Sequence, residues 1–131
     1  MIQSNELRIG NWVEDYDSSH ERFRVETIDK GENETAGMWF INGRWNEDVI
    51  PIPLTPELLE KCGFEIKMHT KGIRYIEVNS YLWLLIVGDE KIHLCLASAE
   101  WMHDLQARVT SLHQLQNLYF SLTNQELTIH L

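Results

Sequence analysis

The chain has 131 residues, the length of one ordinary domain, and 44% are apolar against 24% charged, which excludes a disordered chain and a membrane-embedded one. Lys and Arg number 11 and Asp and Glu 20, a net charge of −9 that repels a phosphate backbone, so direct nucleic-acid binding is not expected. Such a field favours solubility and basic partners, and in the extreme it makes an acidic mimic of nucleic acid.

The opening Met1-Ile2-Gln3-Ser4-Asn5-Glu6 has no basic region followed by an apolar stretch, so no secretory signal is expected and the expected location is cytoplasmic. The longest apolar run, residues 81–87, is far short of the ~20 residues a membrane-spanning helix needs. Cys62 and Cys95 stand apart with no second pair, which is neither a disulfide framework nor a zinc knuckle, and both read as reduced, buried thiols.

Residues 7–52 carry the signals of short strands and tight turns, with no sustained helical period. Strands are expected over 8–13, bent at Gly10-Asn11, and over 22–29, with Phe23 and Val25 sharing a face. Residues 38–41 and 44–45 flank Asn42-Gly43, the preferred pair for a type I′ hairpin, since both central residues need positive φ. A last strand over 49–52 completes an expected SH3-like β-roll at residues 1–53. Thr55-Pro56-Glu57 then opens a short linking helix, with Thr as N-cap, Pro at the first position and Gly63 just past the end.

An antiparallel meander follows over 64–68, 73–79, 82–87 and 91–97. The run Leu82-Trp83-Leu84-Leu85-Ile86-Val87 has no polar alternate, so both of its faces need covering. Residues 98–108 read as a short helix carrying Trp101 or as an irregular lid. The clearest helix spans 112–122, capped by Ser111 and ended by Asn124, with Leu112, Leu115, Leu118, Tyr119 and Leu122 on one arc turned to the sheet. Residues 126–129 alternate as a returning strand does. The fold class expected is α+β: an N-terminal SH3-like β-roll, a short linking helix, and a C-terminal antiparallel sheet packed by one helix, divided at 1–53 and 54–131.

Three stretches carry a resemblance: Glu6-Leu7-Arg8-Ile9-Gly10-Asn11-Trp12-Val13; Ile50-Pro51-Ile52-Pro53-Leu54-Thr55 with Cys62-Gly63-Phe64; and Leu112-His113-Gln114-Leu115-Gln116-Asn117-Leu118-Tyr119-Phe120 with Leu122-Thr123. In order and spacing they resemble a small uncharacterised protein family of Bacteroidetes genomes, prophages and mobile elements. Residues 70–109 are outside the resemblance. It implies a bacterial or phage setting and an accessory role, and it transfers no catalytic residue.

His93 and Cys95, two apart on a strand, share a face and form the best metal candidate, with His103 or His113 to complete it, but two ligands do not make a structural zinc site. No metal or cofactor is expected. A Cys95 nucleophile has no local signature behind it, and the phosphate-loop, dinucleotide, nucleophile-elbow and zincin motifs are all missing. The acid pairs Glu47-Asp48 and Asp89-Glu90 read as solvent-facing turns.

Of five tryptophans, Trp12 and Trp83 read as core, and Trp39, Trp45 and Trp101 are candidates for a pocket wall. On the last helix Phe120 lies off the leucine arc beside His113, Gln116 and Asn117, a candidate partner surface whose alternative is packing against the N-terminal roll. The expected role is a non-enzymatic binding or adaptor module with a protein partner or self-association. The competing readings are a small-ligand-binding protein or enzyme with a pocket between the halves, and the acidic mimic.

Overall fold

Residues at positive φ set the layout of the N-terminal strands. In the computed structural model, which describes residues 2, 6–17, 19–30, 39–68, 72–87, 91–97 and 101–131, Gly10 sits at φ 98° and its N–H donates to the Val25 carbonyl at 2.7 Å. A side chain would resist that conformation. Residues 8–10 are therefore a turn rather than the first half of a strand, and β1 (Trp12–Asp15) starts after it.

β1 pairs antiparallel with β2 (Arg22–Arg24) on one side and β6 (Val49–Ile50) on the other. β3 (Ile28–Lys30), β4 (Trp39–Ile41) and β5 (Arg44–Trp45) make a second three-stranded sheet. Asn42 and Gly43 turn β4 into β5 at φ 50° and 78°, as the Asn-Gly pair predicts. The Asn42 side chain also accepts from the Glu26 and Thr27 N–H groups and donates to the Arg24 carbonyl, so one turn residue ties the hairpin to the β2–β3 connection. Val13, Phe23, Val25, Ile41 and Val49 form a buried cluster with Ile2 and Leu7. Among the described residues these strands form two open sheets, and no closed barrel is found.

The chain divides into two compact units, residues 1–53 with 111–126 and residues 54–110 with 127–131. The helix α2 (Leu112–Thr123), expected to pack the C-terminal sheet, thus groups with the N-terminal strands. The reason is polar. Gln116, almost wholly buried, donates from Nε2 to the Gly10 carbonyl at 3.0 Å and accepts the Trp12 N–H at Oε1 at 2.8 Å. Asn117 Oδ1 accepts from Asn11 Nδ2 and Arg8 Nε, each at 2.9 Å, while its Nδ2 donates to the Glu6 carbonyl. The buried arc is accordingly Leu112, His113, Leu115 and Gln116, and Leu122 of the expected leucine arc is exposed. Asn124 ends the helix at φ 57°, and residues 126–129 form no strand.

The second unit opens with α1 (Pro56–Lys61), capped where expected: Thr55 Oγ1 accepts the Leu58 N–H at 3.1 Å and Gly63 takes φ 97° just past the end. Five antiparallel strands follow, β7 (Lys67–Met68), β8 (Arg74–Glu77), β9 (Leu82–Val87), β10 (Lys91–Ala97) and β11 (Met102–Arg108), in the order β11-β10-β9-β8-β7. β11 replaces the helix or lid expected over 98–108, residues 98–100 lying outside the described set. A bulge interrupts its pairing: Cys95 faces Asp104 but Leu94 faces Ala107, so Leu105 and Gln106 have no opposite number, and Gln106 adopts φ 56°. The fold is mixed α+β, with small antiparallel sheets and a C-terminal helix. Among the described residues no helix is long and apolar enough to cross a membrane.

Two stability measurements follow from α2. Gln116→Leu strips partners from the Gly10 carbonyl and the Trp12 N–H, so urea unfolding should show a loss of about 2–3 kcal/mol; Gln116→Glu, which accepts but cannot donate, should not restore it. His113 is buried with neither ring nitrogen hydrogen-bonded among the described residues, and burial lowers its pKa from the ordinary 6.5 against an opposing pull from Glu6. The unfolded chain therefore takes up a proton that the folded one refuses, and stability falls as pH drops through 6.5 toward the lower folded value. His113→Leu should flatten that decline in urea unfolding between neutral pH and about pH 5.5, and equal slopes in both proteins would refute the assignment.

Candidate functional site

Strand alternation sorts the five-stranded sheet into two unlike faces. Ile76, Leu82, Leu84, Ile86 and Ile92 share one face and all are buried, as are Leu58, Leu59 and Cys62 on α1 of the same unit. The other face carries Tyr75 from β8, Trp83, Leu85 and Val87 from β9, His93, Cys95 and Ala97 from β10, and Met102 and Asp104 from β11. At its centre Leu85, Cys95 and Ala97 are buried, with Ile73, Tyr75, Trp83 and Met102 half-buried around them. The Tyr75 and Trp83 rings stack, centroids 4.3 Å apart and planes 15° from parallel. This is the second face of β9 that the unbroken apolar run said must be covered; its own aromatic rings provide part of the cover.

Beside them lies a depression of about 360 Å³, lined by Gly72, Ile73, Leu85, Ile86, Val87, Met102 and Asp104. That volume is at the small end of ligand pockets, and the lining has the usual make-up of apolar wall and few polar groups. Asp104 is the one charged residue in it. The bulge fixes its carboxylate: Oδ1 accepts the Gln106 N–H at 2.7 Å and Oδ2 lies 3.3 Å from His93 Nδ1. At the far edge Lys67 meets Glu77 at 3.2 Å, and that carboxylate raises the lysine pKa.

Chemistry at this face is limited by burial. Desolvation pushes the Cys95 thiol up, despite the backbone hydrogen bond from His103, so the neutral thiol rather than the nucleophilic thiolate prevails. His93 and Cys95 share the face as expected, but His103 pairs across from Leu96 and so points to the other side, and His113 belongs to the first unit. Among the described residues no three His, Cys, Asp or Glu side chains gather as a metal set.

The helix patch singled out in the sequence is occupied within its own unit. His113 and Gln116 are buried, Asn117 is held by Arg8 and Asn11, and the Arg8 guanidinium lies 4.3 Å over the Phe120 ring, an approach that also brings Arg8 to Glu126 at 2.6 Å. Its candidacy as a partner surface gives way to the alternative of packing against the N-terminal strands. Trp39 and Trp45 do not form one wall: Phe40 is the register partner of Trp45, so Trp39, its neighbour on β4, faces the opposite side of that sheet. Trp45 is 43% exposed and rests against Phe40, ring centroids 4.5 Å apart, while Trp101, 56% exposed, precedes β11 in the second unit. Glu47 and Asp48 are exposed as expected, and Asp89-Glu90 falls outside the described residues.

Sequence reasoning missed Asp104 and Met102 because residues 98–108 carry no alternating apolar pattern and read as a helix or lid, whereas as strand residues they pair opposite Cys95 and Ala97. Comparison of the chain with protein-family models, with curated proteins and with solved structures finds no match.

In the native protein Cys95 should resist a thiol reagent such as an aromatic disulfide at pH 7.5, and react only when denaturant exposes it, because it is both buried and held protonated. Rapid stoichiometric labelling of Cys95 without denaturant, located by mass spectrometry, would contradict this.

Proposed function

We propose that the chain is a non-enzymatic binding module of a bacterium or of one of its phages or mobile elements, and that it recognises a protein partner through the second face of the five-stranded sheet. The observation that carries this reading is the combination on that face of stacked rings, an exposed Val87 and an apolar depression with a single fixed carboxylate. Apolar and aromatic surface around a small pocket is what binding hot spots are built from. The nearest sulfur nucleophile is protonated, which favours binding over covalent chemistry.

Recognition by face rather than by edge follows from β11. An edge strand of this length invites pairing with another chain, but the bulge at Leu105-Gln106 breaks its ladder and twists it, a recurrent way of blunting such an edge. The depression also supports a second reading, a small-ligand-binding protein. An SH3-like origin for the N-terminal strands remains part of the proposal, supported by their Asn-Gly hairpin and by the Asn42 tie between the two sheets.

The test is tagged capture from the native host with mass spectrometry, run beside Val87→Arg, whose side chain is already 37% exposed so that folding is preserved. A stoichiometric protein captured by the wild type and lost in Val87→Arg, with melting temperatures matched, is the expected result. A partner retained in full by the variant overturns the assignment of the face, and recovery of a small molecule instead transfers it to the ligand reading.

A further inference from the structure

We infer that the depression on the sheet takes the side chain of a lysine from a basic segment of the partner; the inference rests on the binding-module reading and names the chemistry of its partner. The lining is mostly aliphatic, with Ile73, Leu85, Ile86, Val87 and Met102, and holds one acid, Asp104. An apolar stem with a cationic head fits a lining of that kind, because the stem is removed from water while the head keeps a charged partner. Among the described residues Asp104 has no Lys or Arg ion pair, only the His93 imidazole at 3.3 Å, so its charge is available to an incoming cation.

The bulge holds the Asp104 carboxylate in one direction. Oδ1 accepts the Gln106 N–H at 2.7 Å and Oδ2 lies 3.3 Å from His93 Nδ1, and each oxygen keeps a further lone pair for an incoming cation. A compact ammonium, with three donors that rotate freely, needs only one lone pair. The net charge of −9 draws a basic segment toward the chain over a longer range, and Asp104 supplies the one point at which attraction becomes register.

The experiment is a ¹⁵N-correlated NMR titration of the full chain with Ac-Ala-Lys-Ala-NH2, with its norleucine counterpart, and with hexylammonium chloride. The lysine peptide should move the amides of Ile73, Leu85, Val87, Met102 and Asp104 and bind about tenfold more tightly than the norleucine peptide, the contribution of one charge-assisted hydrogen bond. Asp104→Asn, which keeps an acceptor for the Gln106 N–H, should erase that tenfold preference. Equal binding of lysine and norleucine, an unchanged preference in Asp104→Asn, or shifts scattered over the acidic surface each overturn the inference. Hexylammonium binding as tightly as the lysine peptide overturns the peptide source in favour of a free amine. Silence from every probe removes the lysine site, whereas the recognition face itself stands or falls on Val87→Arg.

Discussion

Between Gly10 and Trp12 the backbone presents a carbonyl and an N–H that no neighbouring strand receives, and the Gln116 side chain meets both. An amide side chain has the same donor and acceptor as a peptide group, so Gln116 serves as a single rung of a ladder whose second strand is a helix. The rest of the N-terminal unit is arranged around that rung. Asn11, fully buried, is satisfied by the Arg8 N–H and by Asn117, and Arg8 in turn spans Asn117, the Phe120 ring and Glu126. Fixed polar geometry decides where α2 docks, and the leucines follow.

This explains which parts of the architecture were legible in the sequence. Local chemistry was readable: the Asn42-Gly43 turn, the Thr55 cap, Gly63 and Asn124 as helix ends, and the bounds of β9 and β10 all depend on neighbours in the chain. The partner of α2 was readable only as one of two alternatives: the leucine arc points to the C-terminal sheet, and the side with His113, Gln116, Asn117 and Phe120 fits either a partner surface or packing on the N-terminal roll, because only Gly10 and Asn11 placed beside Gln116 and Asn117 decide between them. Site residues divided in the same way. His93 and Cys95 share a face by simple alternation, whereas Asp104 joins them only once residues 102–108 are known to be a strand paired with β10, which their mixed polar and apolar order does not announce.

Two arginines show how this small acidic chain uses its scarce cations. Arg44 meets Asp15 at 2.5 Å and Glu21 at 3.4 Å with its guanidinium 4.3 Å over Phe23, and Arg8 does the same with Glu126 and Phe120. A planar guanidinium can stack on a ring through its face and pair with carboxylates through its edge at once. Each therefore covers a ring face that a unit this size cannot enclose with aliphatic side chains alone.

The division of the chain has a temporal side. The first unit is built from residues 1–53 and 111–126, and residues 54–110 between them all belong to the second, the ends of that stretch joined where the Leu54 N–H donates to the Thr110 carbonyl at 3.0 Å. During synthesis the strands that need Gln116 emerge first and wait for residues 54–110 of the second unit to be made. At ribosomal rates of about 5–20 residues per second that interval lasts several seconds. The inserted unit, whose sheet is a meander of adjacent strands, can form meanwhile, and by bringing residues 54 and 110 together it shortens the loop that the first unit must close. The strands that emerge first thus depend on Gln116, a residue that emerges only after the whole of 54–110.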